Sequence, residues 1–121
     1  MKLRISGDSL RLRLSRSEVE RLRESATVED AIHFGGNHLK YVVAIAGGVL
    51  GATYADGQIR VEIPRELAND FTDTDRVSVE GQQALGSGSR LQILIEKDFK
   101  CMHKDGPGDA DAYPNPMSSI T

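Results

Sequence analysis

The residues best suited to chemistry lie near the carboxyl end of the chain, where a thiol, an imidazole and several carboxylates follow one another. Cys101 and His103 are two positions apart, so on an extended segment their side chains point the same way. Thiolate and imidazole groups bind zinc and other borderline transition metals. The candidate metal ligands are therefore Cys101, His103 and Asp98. The carboxylate that completes the coordination shell would be that of Asp105, Asp109 or Asp111.

Two observations weigh against a metal site and against catalysis. A structural zinc site takes paired ligands from two separate segments, and the other histidines, His33 and His38, flank a predicted hairpin. A catalytic Cys101 needs a histidine base and an oxyanion donor, and two residues on one strand face rarely reach that geometry. We therefore assign no catalytic residue. The alternative for Cys101 is a half-buried thiol at a strand end.

The second candidate is a group of basic side chains near the amino end. Residues 1–25 contain seven basic and four acidic residues, whereas the whole chain has a net charge of −3. Several arginines on one sheet face bind phosphate oxygens, which is the nonspecific mode of nucleic-acid binding. The side chains assigned to this surface are Lys2, Arg4, Arg11, Arg13 and Arg16. The acidic overall charge disfavours the function, and acids such as Glu62 and Glu80 would neutralise the same arginines.

Strict alternation of apolar and polar residues predicts half-buried antiparallel strands that position these groups. Leu10, Leu12 and Leu14 share one strand face, and the same pattern recurs at residues 59–63 and 91–95. The segments 35–37 (Gly-Gly-Asn) and 56–57 (Asp-Gly) accept positive φ and predict hairpin turns. The glycines at 47 and 48 indicate either a bulge in a long strand or a further turn.

Two short helices are predicted. Ser15 and Glu18 fit a capping box, and Pro64 opens the second helix, where its missing N–H costs nothing. Residues 10–16 align with residues 59–65, which predicts a strand–helix–strand unit used twice with pseudo-twofold symmetry; chance similarity is the alternative. The predicted fold class is α+β, a small antiparallel β-barrel or strongly curled sheet flanked by two short helices. These units resemble swapped-hairpin transcription factors.

The length of 121 residues predicts one domain over residues 1–100, followed by an irregular tail over 101–121. Residues 1–14 alternate in charge and so lack the apolar run of a signal peptide, and no apolar stretch is long enough to span a bilayer. A single cysteine cannot form an internal disulfide, so we expect a cytoplasmic location.

Four short motifs resemble a family of short, uncharacterised bacterial proteins. They are Leu3-Arg4-Ile5-Ser6-Gly7, Arg13-Leu14-Ser15-Arg16-Ser17-Glu18-Val19, Glu96-Lys97-Asp98-Phe99-Lys100-Cys101 and Tyr113-Pro114-Asn115-Pro116. The last two are the most specific. The resemblance implies a bacterial, cytosolic origin and no known activity.

The sequence favours a non-catalytic binding or interaction module whose partner is another protein or a second copy of the chain. The first alternative is a metal-binding protein that holds a transition metal such as zinc at Cys101 and His103. The second alternative is a nucleic-acid-associated protein that uses the basic residues near the amino end. No membrane partner is expected.

Overall fold

The computed structural model describes residues 1–99 and Tyr113 of the chain. Its elements, in chain order, are β1 (Lys2–Ile5), β2 (Ser9–Leu14), α1 (Arg16–Ser25), β3 (Thr27–Phe34), β4 (Asn37–Ile45), β5 (Gly51–Ala55), β6 (Gln58–Ile63), α2 (Arg65–Asp73), β7 (Ser78–Ala84) and β8 (Arg90–Lys97). The α+β class with two helices is confirmed. Most of the predicted tail, including Cys101 and His103, lies outside the described residues.

Local signals determine where the elements begin and end. Asp56 and Gly57 both have positive φ, as a two-residue hairpin turn requires, and they join β5 to β6. At the start of α1 the Glu18 N–H donates to Ser15 Oγ while the Ser15 N–H donates to the Glu18 carboxylate, which confirms the capping box. Gly47 and Gly48 lie in a bend between β4 and β5 and interrupt the strand there.

The strands form two four-stranded sheets of identical arrangement. Sheet A has the order β1-β2-β8-β7, and sheet B has the order β3-β4-β6-β5. Hairpins form the outer pairs, but the two central pairs, β2 with β8 and β4 with β6, are parallel. The sheets are therefore mixed and are not closed into a barrel. The prediction of an antiparallel barrel was wrong on both points. Period-two alternation is the same in both kinds of pairing, so the sequence pattern could not distinguish them.

The apolar faces of the two sheets and the helices enclose one core. Its largest fully buried side chains are Phe71, Leu12, Leu14, Leu22, Ile63, Ile93 and Ile95. β2 and β6 each lead into a helix, and α1 contacts α2, so the helices cover one end of the core. The hairpin turns lie at the opposite end, which we call the open end. Within residues 1–99, neither helix has the length and apolar character needed to cross a membrane.

Candidate functional site

The basic residues predicted from the sequence share one face of sheet A. In the β1–β2 hairpin Lys2 is the direct partner of Arg13, and Arg4 is the direct partner of Arg11. Their neighbours Leu10, Leu12 and Leu14 are buried in the core, so the four basic side chains lie on the outer face. Arg16 begins α1 instead, with its guanidinium carbon 5.6 Å from the centroid of the Tyr113 ring.

Glu96 on β8 and Asp98 directly after it neutralise part of this face. Arg13 Nε donates to Glu96 Oε1 at 2.5 Å, and Arg11 Nε lies 3.6 Å from the same oxygen. Lys2 Nζ lies 2.9 Å from Asp98 Oδ2. The expected partners Glu62 and Glu80 are not involved in these pairs, since β8 rather than β6 or β7 is the neighbour of β2. Within residues 1–99 and Tyr113, Arg4 has no ion-pair partner.

Of the three predicted metal ligands, Asp98 alone belongs to the described residues. Its carboxylate is engaged by Lys2, its N–H donates to the Leu14 carbonyl at 2.8 Å, and its carbonyl accepts from the Tyr113 N–H at 2.7 Å. No group of three metal-ligating side chains occurs among residues 1–99 and 113. The proposed ligands Cys101 and His103 lie outside that part of the chain, so the metal site stays a prediction.

Sequence reasoning missed a buried lysine at the end of β8. Lys97 lies on the inner face of β8 with Ile93 and Ile95, whereas the acids lie on the outer face. Only 7% of Lys97 is exposed. Its Nζ donates to the Thr74 carbonyl at 2.9 Å and lies 5.3 Å from the centroid of the Phe71 ring. Burial lowers the pKa of Lys97, while the charge of Asp75 opposes that change. Strict alternation from Ile93 would have predicted this orientation.

The open end carries an apolar groove of about 260 Å³ between the two sheets. Its apolar lining is formed by Ile5, Leu10, Tyr54, Ile59, Leu85 and Leu91. Ile5 is 60% exposed and Tyr54 is 68% exposed, although both lie at inner-face positions of their strands. The groove exists because the inner faces continue past the core, where no helix covers them.

The β3–β4 hairpin extends beyond its sheet at the same turn-bearing end. β6 begins to pair with β4 at Lys40, so the hairpin tip between Ile32 and Leu39 pairs only with itself. Ile32 is 48% exposed and Phe34 is 64% exposed on this tip. A projecting hairpin with exposed apolar side chains thus accompanies the groove at the open end.

Comparison with known proteins gives a family and no activity. Neither a curated protein nor a solved structure matches the chain significantly. A family model does match, over residues 1–117, and its description is a family of unknown function. This match covers the four motifs that resembled an uncharacterised family and confirms that resemblance. The chain therefore belongs to the family of unknown function DUF7009.

Proposed function

We propose that this protein is a non-catalytic interaction module that pairs with a second copy of itself through its open end. The observation that carries the proposal is the apolar groove walled by Ile5 and Tyr54, together with the projecting hairpin that exposes Ile32 and Phe34. Exposed apolar side chains that cluster at one end of a folded molecule are typical of protein-binding surfaces. Among residues 1–99 and Tyr113, four of the six exposed large hydrophobic residues belong to this set.

A second copy suits this surface because one chain carries both complementary shapes. In a twofold interface the hairpin of each copy contacts the groove of the other, so every contact is made twice. The doubling matters energetically. A stable interface buries about 1,200–2,000 Å² in total over both partners, and a contact made twice contributes its buried area twice.

The aromatic side chains are expected to dominate the binding energy. Full burial of an exposed aromatic or large aliphatic side chain contributes about 1.5–3 kcal/mol, and Tyr and Phe are enriched at interface centres. Association also costs translational and side-chain entropy. We therefore expect a dimer that dissociates on dilution and depends on Phe34 and Tyr54.

Sedimentation equilibrium over a range of concentrations tests the proposal. The wild type should show a monomer–dimer equilibrium, and Phe34→Ser or Tyr54→Ser should raise the dissociation constant at least about tenfold. Because the contact is apolar, added salt should leave the wild-type constant unchanged or lower it.

The matched control is Val49→Ser. Val49 is 76% exposed but lies in the bend between β4 and β5, outside both apolar elements of the open end. Its replacement should leave the dissociation constant unchanged. A wild type that stays monomeric at all concentrations would overturn the proposal, as would equal weakening by Val49→Ser.

Three narrower proposals accompany this function. The identical arrangement of the two sheets supports an origin of the chain from two copies of a hairpin–helix–hairpin unit. The single cysteine supports a cytoplasmic location. Metal binding by Cys101, His103 and Asp98 is the alternative function, and metal analysis of the protein beside a Cys101→Ser/His103→Ala variant tests it.

A further inference from the structure

A small polar cavity lies on the outer face of the β1–β2 hairpin, and Ser9 lines both this cavity and the apolar groove. It measures about 190 Å³ and is lined by Arg4, Ser6, Ser9 and Arg11. All four side chains are hydrogen-bond donors, and no carboxylate lines the cavity.

The register of the hairpin places these donors in two pairs that are separated by one inward-facing pair. Arg4 is directly opposite Arg11, and Ile5 is opposite Leu10 in the next pair toward the turn. The Ser6 N–H donates to the Ser9 carbonyl at 3.0 Å, so the two serines are the pair after that. Alternation puts both pairs on the same face. Within residues 1–99 and Tyr113, neither serine hydroxyl nor the Arg4 guanidinium has a hydrogen-bond partner.

The charges around the cavity leave it positive. Like charges directly opposite each other in a sheet repel, so the Arg4–Arg11 pair costs stability unless an anion lies between them. Glu96 is the nearest acid on β8, but it is hydrogen-bonded to Arg13 and approaches Arg11 Nε only to 3.6 Å. Asp8 lies in the turn between the serines and does not line the cavity.

The matching strands of sheet B show that the fold does not need this arrangement. There the pair equivalent to Arg4 and Arg11 is Thr53 and Arg60, and Arg60 is paired with Glu62 at 3.1 Å. The pair equivalent to the two serines is Ala55 and Gln58. The same hairpin geometry therefore forms without paired arginines and without hydroxyls.

We propose that Arg4, Arg11, Ser6 and Ser9 form a binding site for a phosphate group. Two guanidinium groups supply fork-like donors that match phosphate oxygens, and the two hydroxyls add neutral donors at the turn side. The bound anion would relieve the repulsion between the arginines. The phosphate could belong to a small phosphorylated molecule or to a nucleic-acid backbone, which would extend along the face toward Lys2 and Arg13.

Titration with inorganic phosphate, followed by ¹H–¹⁵N NMR, tests the site directly. The amide signals of Ser6, Ser9 and the neighbouring turn should shift in a saturable manner. Arg4→Thr, which reproduces the Thr–Arg pair of sheet B, should weaken phosphate binding at least about tenfold, and Arg11→Gln should do the same.

Arg60→Gln is the matched control, because Arg60 occupies the position in sheet B that Arg11 occupies in sheet A. It should bind phosphate like the wild type. The spectra of the variants also report whether each one is folded. Loss of binding in Arg60→Gln to the same extent would overturn the proposal, since the effect would then be one of net charge.

A parallel titration with a short single-stranded oligonucleotide separates the two sources of phosphate. If free phosphate saturates the site and displaces the oligonucleotide, the ligand is a small phosphorylated molecule. If only the oligonucleotide binds, and Arg4→Thr abolishes that binding, the site accepts a phosphodiester. The proposal is overturned if neither ligand shifts the Ser6 and Ser9 signals.

Discussion

The Gln83 side chain forms two hydrogen bonds with the backbone of Ala52 and so joins the edge strands of two different sheets. The Ala52 N–H donates to Gln83 Oε1 at 2.7 Å, and Gln83 Nε2 donates to the Ala52 carbonyl at 3.0 Å. Ala52 belongs to β5 of sheet B and Gln83 to β7 of sheet A. The side-chain amide thus takes the place of a neighbouring strand for Ala52 at the edge of β5, and both residues also line the apolar groove.

We expect Gln83→Glu to lower the free energy of unfolding at neutral pH by about 1–3 kcal/mol. An ionised carboxylate accepts from the Ala52 N–H but cannot donate to the Ala52 carbonyl, so one half-buried acceptor loses its partner. A protonated carboxyl can donate, and the deficit should therefore shrink as the pH falls through the range in which carboxyls titrate.

Urea unfolding at neutral and acidic pH measures both effects. Gln82→Glu is the control, because Gln82 is exposed and accepts from Arg90 Nη1 at 2.8 Å, where a carboxylate is equally acceptable. Equal stability of Gln83→Glu and wild type at neutral pH would contradict the expectation.

The cap of α1 gives a second prediction. Ser15→Ala removes the hydroxyl that accepts the Glu18 N–H, and such caps contribute about 0.5–2 kcal/mol. We expect a loss of that size in the free energy of unfolding, measured by urea denaturation. Ser25→Ala, at the exposed last residue of the same helix, should change stability little. A Ser15→Ala variant as stable as Ser25→Ala would show that the capping box contributes nothing measurable.

The local features of this fold were predictable from the sequence, whereas the pairing of its strands was not. Residues close in sequence determine the Asp56-Gly57 turn and the cap at Ser15, so the pattern alone identified both. The parallel contact of Leu12 with Ile95 joins strands that are distant along the chain, and alternation carries no information about which strands meet. The barrel prediction failed at this step.

The same distinction explains which features of the basic outer face of sheet A were predicted correctly. Lys2, Arg4, Arg11 and Arg13 lie on one hairpin, so alternation correctly predicted that they share a face. Their acidic partners lie on β8 and directly after it, and the sequence did not place β8 beside β2. The open end was missed for a related reason: Ile5 and Tyr54 occupy core-facing positions, and only the three-dimensional arrangement shows that the core ends before them.

The repulsion between Arg4 and Arg11 predicts a stabilising substitution. Arg4→Thr removes one of two like charges that face each other and should raise the free energy of unfolding by about 0.2–1 kcal/mol at low salt. Screening should reduce the gain at high salt. Arg11→Gln also removes the charge but gives up the contact with Glu96, so it should gain less. Urea unfolding of both variants at two salt concentrations provides the measurement, and a destabilised Arg4→Thr variant would contradict the repulsion.

Because Lys97 is buried, the free energy of unfolding should change with pH in the alkaline range. Burial lowers the pKa of Lys97 below the usual 10.5, and the charge of Asp75 opposes part of this change. The folded chain therefore loses the proton at a lower pH than the unfolded chain does. Between the two pKa values the unfolded state binds more protons, so the contribution of Lys97 to stability rises with pH across that interval.

Lys97→Met isolates this effect because methionine keeps an unbranched apolar side chain and does not titrate. The free energy of unfolding of the variant, relative to that of the wild type, should be highest at neutral pH, where the wild type buries a charged amine. That advantage should diminish as the pH approaches 10.5. Urea unfolding at a series of pH values gives the comparison. The control is Lys2→Met, which removes a lysine whose side chain is 63% exposed. Parallel pH profiles for wild type and Lys97→Met would show that the amine titrates alike in the folded and unfolded chains.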